Sequence, residues 1–175
     1  MIFRETALAG AFVIEIEKIE DDRGFFARSW CVREATQHGI EVTWVQSNIS
    51  HNLRKGTLRG MHWQAPDFEA KLVRVTRGAI LDVIVDVRPD SPTRGEHVAV
   101  ELSDAQRNAL FVPKGFAHGF MSLVDDSEIT YLMSEYYAKG QDHGFRYDDP
   151  TVGIAWPAGE KIVSERDLAL PGFEQ

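Results

Sequence analysis

Two short segments of the sequence concentrate the side chains that could do chemistry. The first runs from Gln46 to Lys71 and mixes His, Arg, Lys and amide side chains with glycines; the second, from Pro113 to His118, ends in a histidine between Phe116 and Phe120. Imidazole titrates near neutral pH and can carry protons during a reaction, whereas Arg and Lys stabilise anions. The density of these residue types in two segments predicts a polar functional site.

The sequence lacks the motifs of several other reaction classes. It contains no GxGxxG or GxxxxGK[ST] phosphate loop, no GxSxG elbow, no HExxH and no CxxC. Dinucleotide redox chemistry and phosphoryl transfer of the usual kind are therefore disfavoured. The single cysteine, Cys31, can form neither an internal disulfide nor a zinc knuckle.

Charge and hydropathy restrict the partners and the location. With 19 basic and 27 acidic side chains the net charge is −8, which disfavours nucleic acid and membrane surfaces as partners but permits a local basic pocket. No apolar run reaches the length of a membrane span, and Arg4 and Glu5 interrupt the N-terminus where a secretory signal needs apolar residues. We expect a cytoplasmic protein.

Alternating apolar residues predict the strands that must position these side chains. The alternation recurs in stretches separated by Pro, Gly and Asp turns, which is typical of a mainly antiparallel sheet. Two short helices are predicted, one from Ser29 to His38 closed by Gly39 and one starting at Ser164. The 175 residues fit one domain. The predicted architecture is all-β, a sandwich or jelly roll with minor helices. The alternating residues are Phe12, Ile14 and Ile16; Val42 and Trp44; Val73 and Val75; Leu81, Val83, Val85 and Val87; Val98, Val100 and Leu102; and Ile129, Tyr131 and Met133.

The polar residues of the first segment are spaced to converge. Gln46 and Asn48 share one face of a strand, because side chains alternate with a period of two. Basic and polar side chains then follow a predicted glycine turn at Gly56 and Gly60, which we expect to bring them into the mouth of the barrel. They are Arg59, His62, Gln64 and Lys71.

Two motifs resemble those of the cupin superfamily. PKGFAHGF has the form PxGxxH, and His62, Gln64 and Glu69 correspond in part to HxHx(3,4)E, with Gln64 where a metal-binding cupin has its second histidine. One interpretation is a metal-dependent cupin that uses His62, Gln64, Glu69 and His118. The other, which the nearby Lys71 favours, is a metal-free cupin in which a cationic side chain does the work of the metal.

Several blocks in order resemble a particular family of metal-free cupins, the dTDP-4-dehydrorhamnose 3,5-epimerases. The resemblance implies a jelly-roll homodimer without metal or cofactor that inverts carbon 3, carbon 5 or both in a nucleotide-linked 4-keto-6-deoxy sugar, as in dTDP-rhamnose and polysaccharide biosynthesis. A sugar-nucleotide-binding cupin without activity is the remaining alternative. The blocks are DDRGFF from Asp21, QSNIS, LRGMHWQ, KLVRVTRGAILDVIVDVRPDSPTRGEH, FVPKGFAHGF, YLMSEYY, RYDDP, IAWP and SERD.

The same resemblance implies the catalytic roles. His62 would be the base that removes the proton next to the ketone, and Asp167 would orient its ring and stabilise the imidazolium. Lys71 would face the keto oxygen as the enolate forms, and Tyr131 would return a proton on the opposite face.

Binding roles are implied in the same way. Arg23 and Arg59 would grip the diphosphate, with His118 as a further donor, and Phe26 would stack on the base. Gln46 and Asn48 would supply amide contacts to nucleotide or phosphate, and Tyr137 would be a further substrate-binding residue. Arg28 stands where the family commonly has a glutamate in that pocket. Exchanging acceptors for donors there predicts an altered nucleotide or sugar preference.

Overall fold

Nearly all regular structure in the computed structural model, which describes residues 1–66 and 68–174, is β-strand. The two helices of the described chain are short, and neither is long and apolar enough to cross a membrane. In chain order the elements are β1 (Ile2–Glu5), β2 (Phe12–Glu15), β3 (Ile19–Asp21), β4 (Gly24–Phe26), α1 (Val32–Gln37), β5 (Gln46–Asn52), β6 (Thr57–Gln64), β7 (Lys71–Arg77), β8 (Ala79–Asp86), β9 (His97–Ser103), β10 (Ala109–Val112), β11 (Phe116–Ser122), β12 (Ser127–Met133), β13 (Asp142–Gly144), β14 (Ile162–Val163) and α2 (Glu165–Leu168).

Two sheets carry the strands. The first has the order β1-β2-β10-β7-β12-β5, and the second has the order β13-β6-β11-β8-β9, with β14 also pairing with β6. All pairings within them are antiparallel except that of β14 with β6. The all-β jelly-roll prediction is confirmed.

The main core lies between the two sheets. Val73 of β7 and Ile129 of β12 come from the first sheet, and Ile84 of β8 and Phe120 of β11 come from the second; all are buried in one cluster. Two further apolar clusters contain residues from elements outside the sheets, Ala35 of α1 in one and Val152 in the other. Because a central strand is then covered on both faces, β11 is buried along its whole length.

The sequence predictions outside the central strands need correction. The first helix is α1, which begins three residues later than predicted, although Gly39 follows it with φ +74°. No strand contains Val42 and Trp44 in the described chain; Trp44 instead packs edge-on against Trp30 and Phe111. The second helix begins after Ser164 as predicted.

The hairpin of β3 and β4 forms a small separate sheet. Because successive side chains of a strand point to opposite faces, the sequence predicts that one ring of Phe25 and Phe26 is buried and the other exposed. This is wrong: both are exposed in the chain, Phe25 by 44% and Phe26 by 73%. A two-stranded ribbon has no second layer of its own to cover one face.

Gly60 is not in a turn, contrary to the prediction, but lies inside β6 next to Gly119 of the antiparallel partner strand β11. A Cβ on Gly60 would lie 2.6 Å from the Cα of Gly119, and one on Gly119 would lie 2.6 Å from Met61 Sδ and 2.8 Å from Arg59 O. The register of β6 and β11 shifts between His118 and Phe120. The two glycines therefore permit a close backbone approach between two site-bearing strands.

We expect Gly119→Ala to lower the free energy of unfolding by about 2 to 3 kcal/mol, because the added methyl overlaps backbone and sulfur atoms that cannot all move away. Gly140→Ala is the control: nothing lies within 4 Å of its Cβ, and only its φ of +89° opposes a side chain, at a cost of about 1 kcal/mol. Urea unfolding measures both. Equal losses of unfolding free energy in the two variants would contradict a steric role for the close approach at Gly119.

Candidate active site

A cavity of about 410 Å³ opens between the two sheets. Strands β5, β7 and β12 of the first sheet and β6 and β11 of the second contribute to its wall, together with the start of α2. Its size is that of a small-molecule site. The lining residues are Asn48, Arg59, His62, Lys71, His118, Gly119, Phe120, Tyr131, Met133, Ser164, Arg166 and Asp167.

His62 and Asp167 form a histidine–aspartate pair in this cavity. Nε2 of His62 lies 2.7 Å from Oδ1 of Asp167, and the Gly60 amide donates to Oδ2 of the same carboxylate at 3.3 Å. Ser164 caps α2 by accepting from the Asp167 amide at 3.1 Å. When Nε2 carries its proton, the ring donates to the carboxylate and keeps a lone pair on Nδ1, as a general base requires.

The Asp167 carboxyl has a lowered pKa. Burial raises it, but hydrogen bonds from His62 and Gly60 and one with Ser164 lower it more, so the pKa of Asp167 lies below its usual range. A lowered folded-state pKa adds stability above the unfolded value, about 3.9, that disappears as pH falls through the folded value.

We therefore expect Asp167→Asn to destabilise the protein at neutral pH, and the difference from the wild type to shrink as pH falls below about 4. Urea unfolding of both proteins across this range measures the difference. A difference that does not change with pH would show that the carboxylate charge contributes nothing.

Lys71 enters the cavity from β7 and is almost fully buried. Its Nζ lies 3.0 Å from Oε1 of Glu69, while Oε2 of Glu69 accepts the Gln64 amide at 3.0 Å. The Gln64 side chain is engaged as well, because its Oε1 accepts the Ala138 amide at 2.8 Å. The Lys71 ammonium, paired with a buried counter-ion, can stabilise an oxyanion of a substrate bound in the cavity.

The alternative metal site does not match this arrangement. His62 contacts Asp167, Glu69 contacts Lys71, and Nε2 of His118 lies 2.7 Å from Oδ1 of Asp82. The described residues contain no group of three or more His, Cys, Asp or Glu side chains that could hold a metal ion. The candidate ligands of the cupin-like motifs thus form separate pairs and not one ligand set.

Tyr131 lies across the cavity from His62. It belongs to β12 of the first sheet, opposite Asn48 in the register with β5, whereas His62 is on β6 of the second sheet, opposite His118. Burial raises the pKa of Tyr131 well above its usual value; a hydrogen bond with Ser50 opposes this only in part. The hydroxyl therefore keeps its proton at neutral pH and can serve as an acid.

The cavity wall carries more positive than negative side chains. Arg59, Lys71 and Arg166 line it, against the carboxylate of Asp167. The buried amide of Asn52 accepts from Arg59 Nε at 2.9 Å, which leaves the terminal nitrogens of that guanidinium for a ligand. Such a wall suits a phosphate-bearing substrate even though the whole chain is acidic.

Several predicted binding residues are not in the lining. Arg23 is 90% exposed and pairs with Asp21, Phe26 is exposed on the hairpin, and Arg28 pairs with Glu34. Gln46 and Tyr137 are also outside the lining, but they contact residues that line the cavity or pair with lining residues. Gln46 donates to Asn48 at 3.1 Å and accepts the Tyr137 amide at 3.2 Å, and Tyr137 hydrogen-bonds Asp142, the partner of Arg166.

Three lining residues, Arg166, Met133 and Ser164, were not predicted to belong to the site. Arg166 and Ser164 belong to the SERD block, where one helical turn starting at the Ser164 cap places both beside Asp167. Met133 follows Tyr131 by two residues on β12, so the period of two could have identified it.

Known proteins are similar to this chain in sequence and in fold. The dTDP-4-dehydrorhamnose 3,5-epimerase of Methanothermobacter thermautotrophicus is 44% identical over 168 residues, covering 94% of this chain and 90% of that protein. The Bacillus anthracis enzyme of the same name, solved with TDP and PPi bound, superposes with a TM-score of 0.95 at 39% identity, covering 98% and 99% of the two chains.

A second solved structure extends the similarity. The dTDP-6-deoxy-D-glucose-3,5-epimerase of Legionella pneumophila, solved in complex with dTDP-4-keto-L-rhamnose, has a TM-score of 0.90 at 35% identity over 99% of both chains. The family model described as dTDP-4-dehydrorhamnose 3,5-epimerase matches residues 5–175. The structure and these similarities show that the chain belongs to the dTDP-4-dehydrorhamnose 3,5-epimerase family, whose members are isomerases.

Proposed function

We propose that the protein epimerises a dTDP-linked 4-keto-6-deoxy sugar at carbon 3, carbon 5 or both. The observation that carries this proposal is the placement of a histidine–aspartate pair and a protonated tyrosine on different sheets across one cavity. Inversion at carbon requires removal of a proton from one face and return of a proton to the other, which groups on one wall could not do.

The reaction proceeds through an enolate. His62 takes the proton from the carbon next to the ketone, and Asp167 stabilises the resulting imidazolium. The electron pair of the broken C–H bond moves onto the keto oxygen, where Lys71 stabilises the negative charge. Tyr131 then gives its proton to the same carbon from the opposite face, and solvent restores both groups.

The basic wall of the cavity supports a nucleotide-linked substrate. We assign Arg59 and Arg166 to the diphosphate, because guanidinium matches phosphate oxygens with two parallel hydrogen bonds, and His118 and Asn48 to further polar contacts. The Bacillus anthracis relative was solved with TDP bound and the Legionella relative with dTDP-4-keto-L-rhamnose. These ligands support a dTDP sugar here, with a place in deoxysugar and polysaccharide biosynthesis.

Proton NMR of dTDP-4-keto-6-deoxyglucose in heavy water tests the proposal. We expect the signals at carbons 3 and 5 to disappear with the purified protein as deuterium enters from solvent. Loss of one signal would define an epimerase of a single centre. No loss with this substrate or with uridine and guanosine analogues, which probe the Arg28 substitution, would overturn the proposal.

We further propose a single-domain, cytoplasmic homodimer. The main core joins both sheets, which supports one domain. Ile19, Phe25 and Phe26 on the hairpin and Ile49 on β5, the outermost strand of the first sheet in the described chain, are exposed apolar side chains that a second copy could cover. The hairpin residues Arg23 and Phe26 would then complete the pocket of the partner.

A mixed dimer tests this arrangement. Phe26→Ala should raise KM about tenfold by removing a stacking surface for the base, and His62→Ala should be nearly inactive. The two variants are co-expressed and the mixed dimer is isolated. If the hairpin acts in the partner, the pocket of the Phe26→Ala subunit contains its own His62 together with Phe26 from the other subunit, so both residues are wild type. We expect that site to show the wild-type KM. A mixed dimer without such a site would place the hairpin in its own pocket.

A further inference from the structure

Glu69 is a buried carboxylate that the proposed reaction does not use. Only 5% of the residue is exposed, yet both of its oxygens have partners: Oε1 lies 3.0 Å from Lys71 Nζ, and Oε2 accepts the Gln64 amide at 3.0 Å. A carboxylate is removed from water at a cost unless such partners satisfy it. Its two partners, Lys71 and the Gln64 backbone amide, therefore indicate the role of Glu69.

The two contacts of Glu69 connect the two walls of the cavity. Gln64 lies two residues after His62 on β6 of the second sheet, whereas Lys71 begins β7 of the first sheet. One buried carboxylate thus contacts both the backbone of the strand that carries the base and the Lys71 ammonium. Lysine needs such a restraint, because its charge sits at the end of a flexible stem without the directional fork of arginine.

The other positive side chains of the cavity have different partners. Arg166 pairs with Asp142, and Arg59 is held by the neutral amide of Asn52. His62 has Asp167 and His118 has Asp82. Glu69 is the carboxylate within ion-pair distance of Lys71 among the described residues.

We propose that Glu69 is a positioning residue that holds the Lys71 ammonium where the enolate oxygen forms. The inference rests on the proposed function, because it concerns the same reaction. Stabilisation of a developing oxyanion depends on a charge that is already in place, so that no reorganisation is needed during the reaction. Displacement of a catalytic group by about 1 Å can cost about 10²-fold in rate.

A double-mutant cycle tests whether Glu69 acts through Lys71. Glu69→Gln keeps an acceptor oxygen of similar shape but removes the charge, and Lys71→Met removes the ammonium while keeping most of the stem. We expect Glu69→Gln to lower kcat by about 10²-fold while KM stays within about threefold. Added to Lys71→Met, the same substitution should change kcat by less than about twofold, since its target is already absent.

The outcomes separate the inference from the function it rests on. Wild-type protein that exchanges the substrate protons, together with unchanged kcat in Glu69→Gln or an equal loss in both backgrounds, would overturn the inference alone. Wild-type protein without exchange would overturn both. If Glu69→Gln does not fold, Glu69→Asp replaces it: the charge stays but is one methylene shorter, and kcat should fall about tenfold only where Lys71 is present.

Discussion

Replacement of His62 by alanine is expected to lower kcat/KM for the nucleotide-linked keto sugar by about 10³-fold, because it removes the proposed base. Nε2 of His62 lies 2.7 Å from Oδ1 of Asp167, and the Gly60 amide donates to the other oxygen of the same carboxylate. The described cavity lining offers His118 as a second imidazole, but its Nε2 lies 2.7 Å from the Oδ1 of buried Asp82. His118 is thus engaged by Asp82 and is not available as a substitute base, so we expect a large loss of kcat/KM.

Asp167→Asn is the matched comparison for this variant. The amide keeps the size of the side chain but cannot stabilise an imidazolium, so we expect a loss of at least about 10²-fold with the imidazole still present. Steady-state kinetics with both variants, after near-ultraviolet circular dichroism shows native packing, give the comparison. A His62→Ala protein that retains turnover within about tenfold would contradict the assignment of the base.

Sequence patterns predicted the strands that have one covered and one partly open face. Alternation located β7, β9 and β12, whose burial varies along the strand. It did not identify β11 as a strand, because every residue from Phe116 to Ser122 is buried and its sequence shows no period of two. The apparent strand at Val42 and Trp44 had the right period but packs as an irregular segment against Trp30.

The candidate site was predictable where its residues belong to the sequence blocks that carry the family resemblance. His62, Lys71, Tyr131 and the distant Asp167 meet in one cavity, and the sequence blocks that carry them indicated as much. The exposed hairpin residues could not be placed in this way, because β3 and β4 form a separate two-stranded sheet whose residues do not line the cavity. Glu69 was interpreted as a possible metal ligand, whereas the structure shows that it forms an ion pair with Lys71, two residues along the chain.

Tyr131→Phe should separate proton removal from inversion. The variant keeps the ring that packs against His118 and Phe120, but it lacks the hydroxyl that would return a proton on the far face. His62 would still take the substrate proton, exchange it with solvent and return a deuteron to the same face. We therefore expect deuterium to enter the substrate while formation of the inverted product falls by about 10³-fold.

The measurement follows deuterium incorporation and product configuration in the same NMR experiment, with Tyr136→Phe as the control. Tyr136 is 70% exposed and three residues beyond the end of β12, so its hydroxyl should not matter. Inversion at the wild-type rate in Tyr131→Phe would assign the acid to another residue. Loss of exchange together with inversion would mean that the Tyr131 hydroxyl is needed for enolate formation itself. Exchange without inversion is the result that two proton-transfer groups on opposite sheets require.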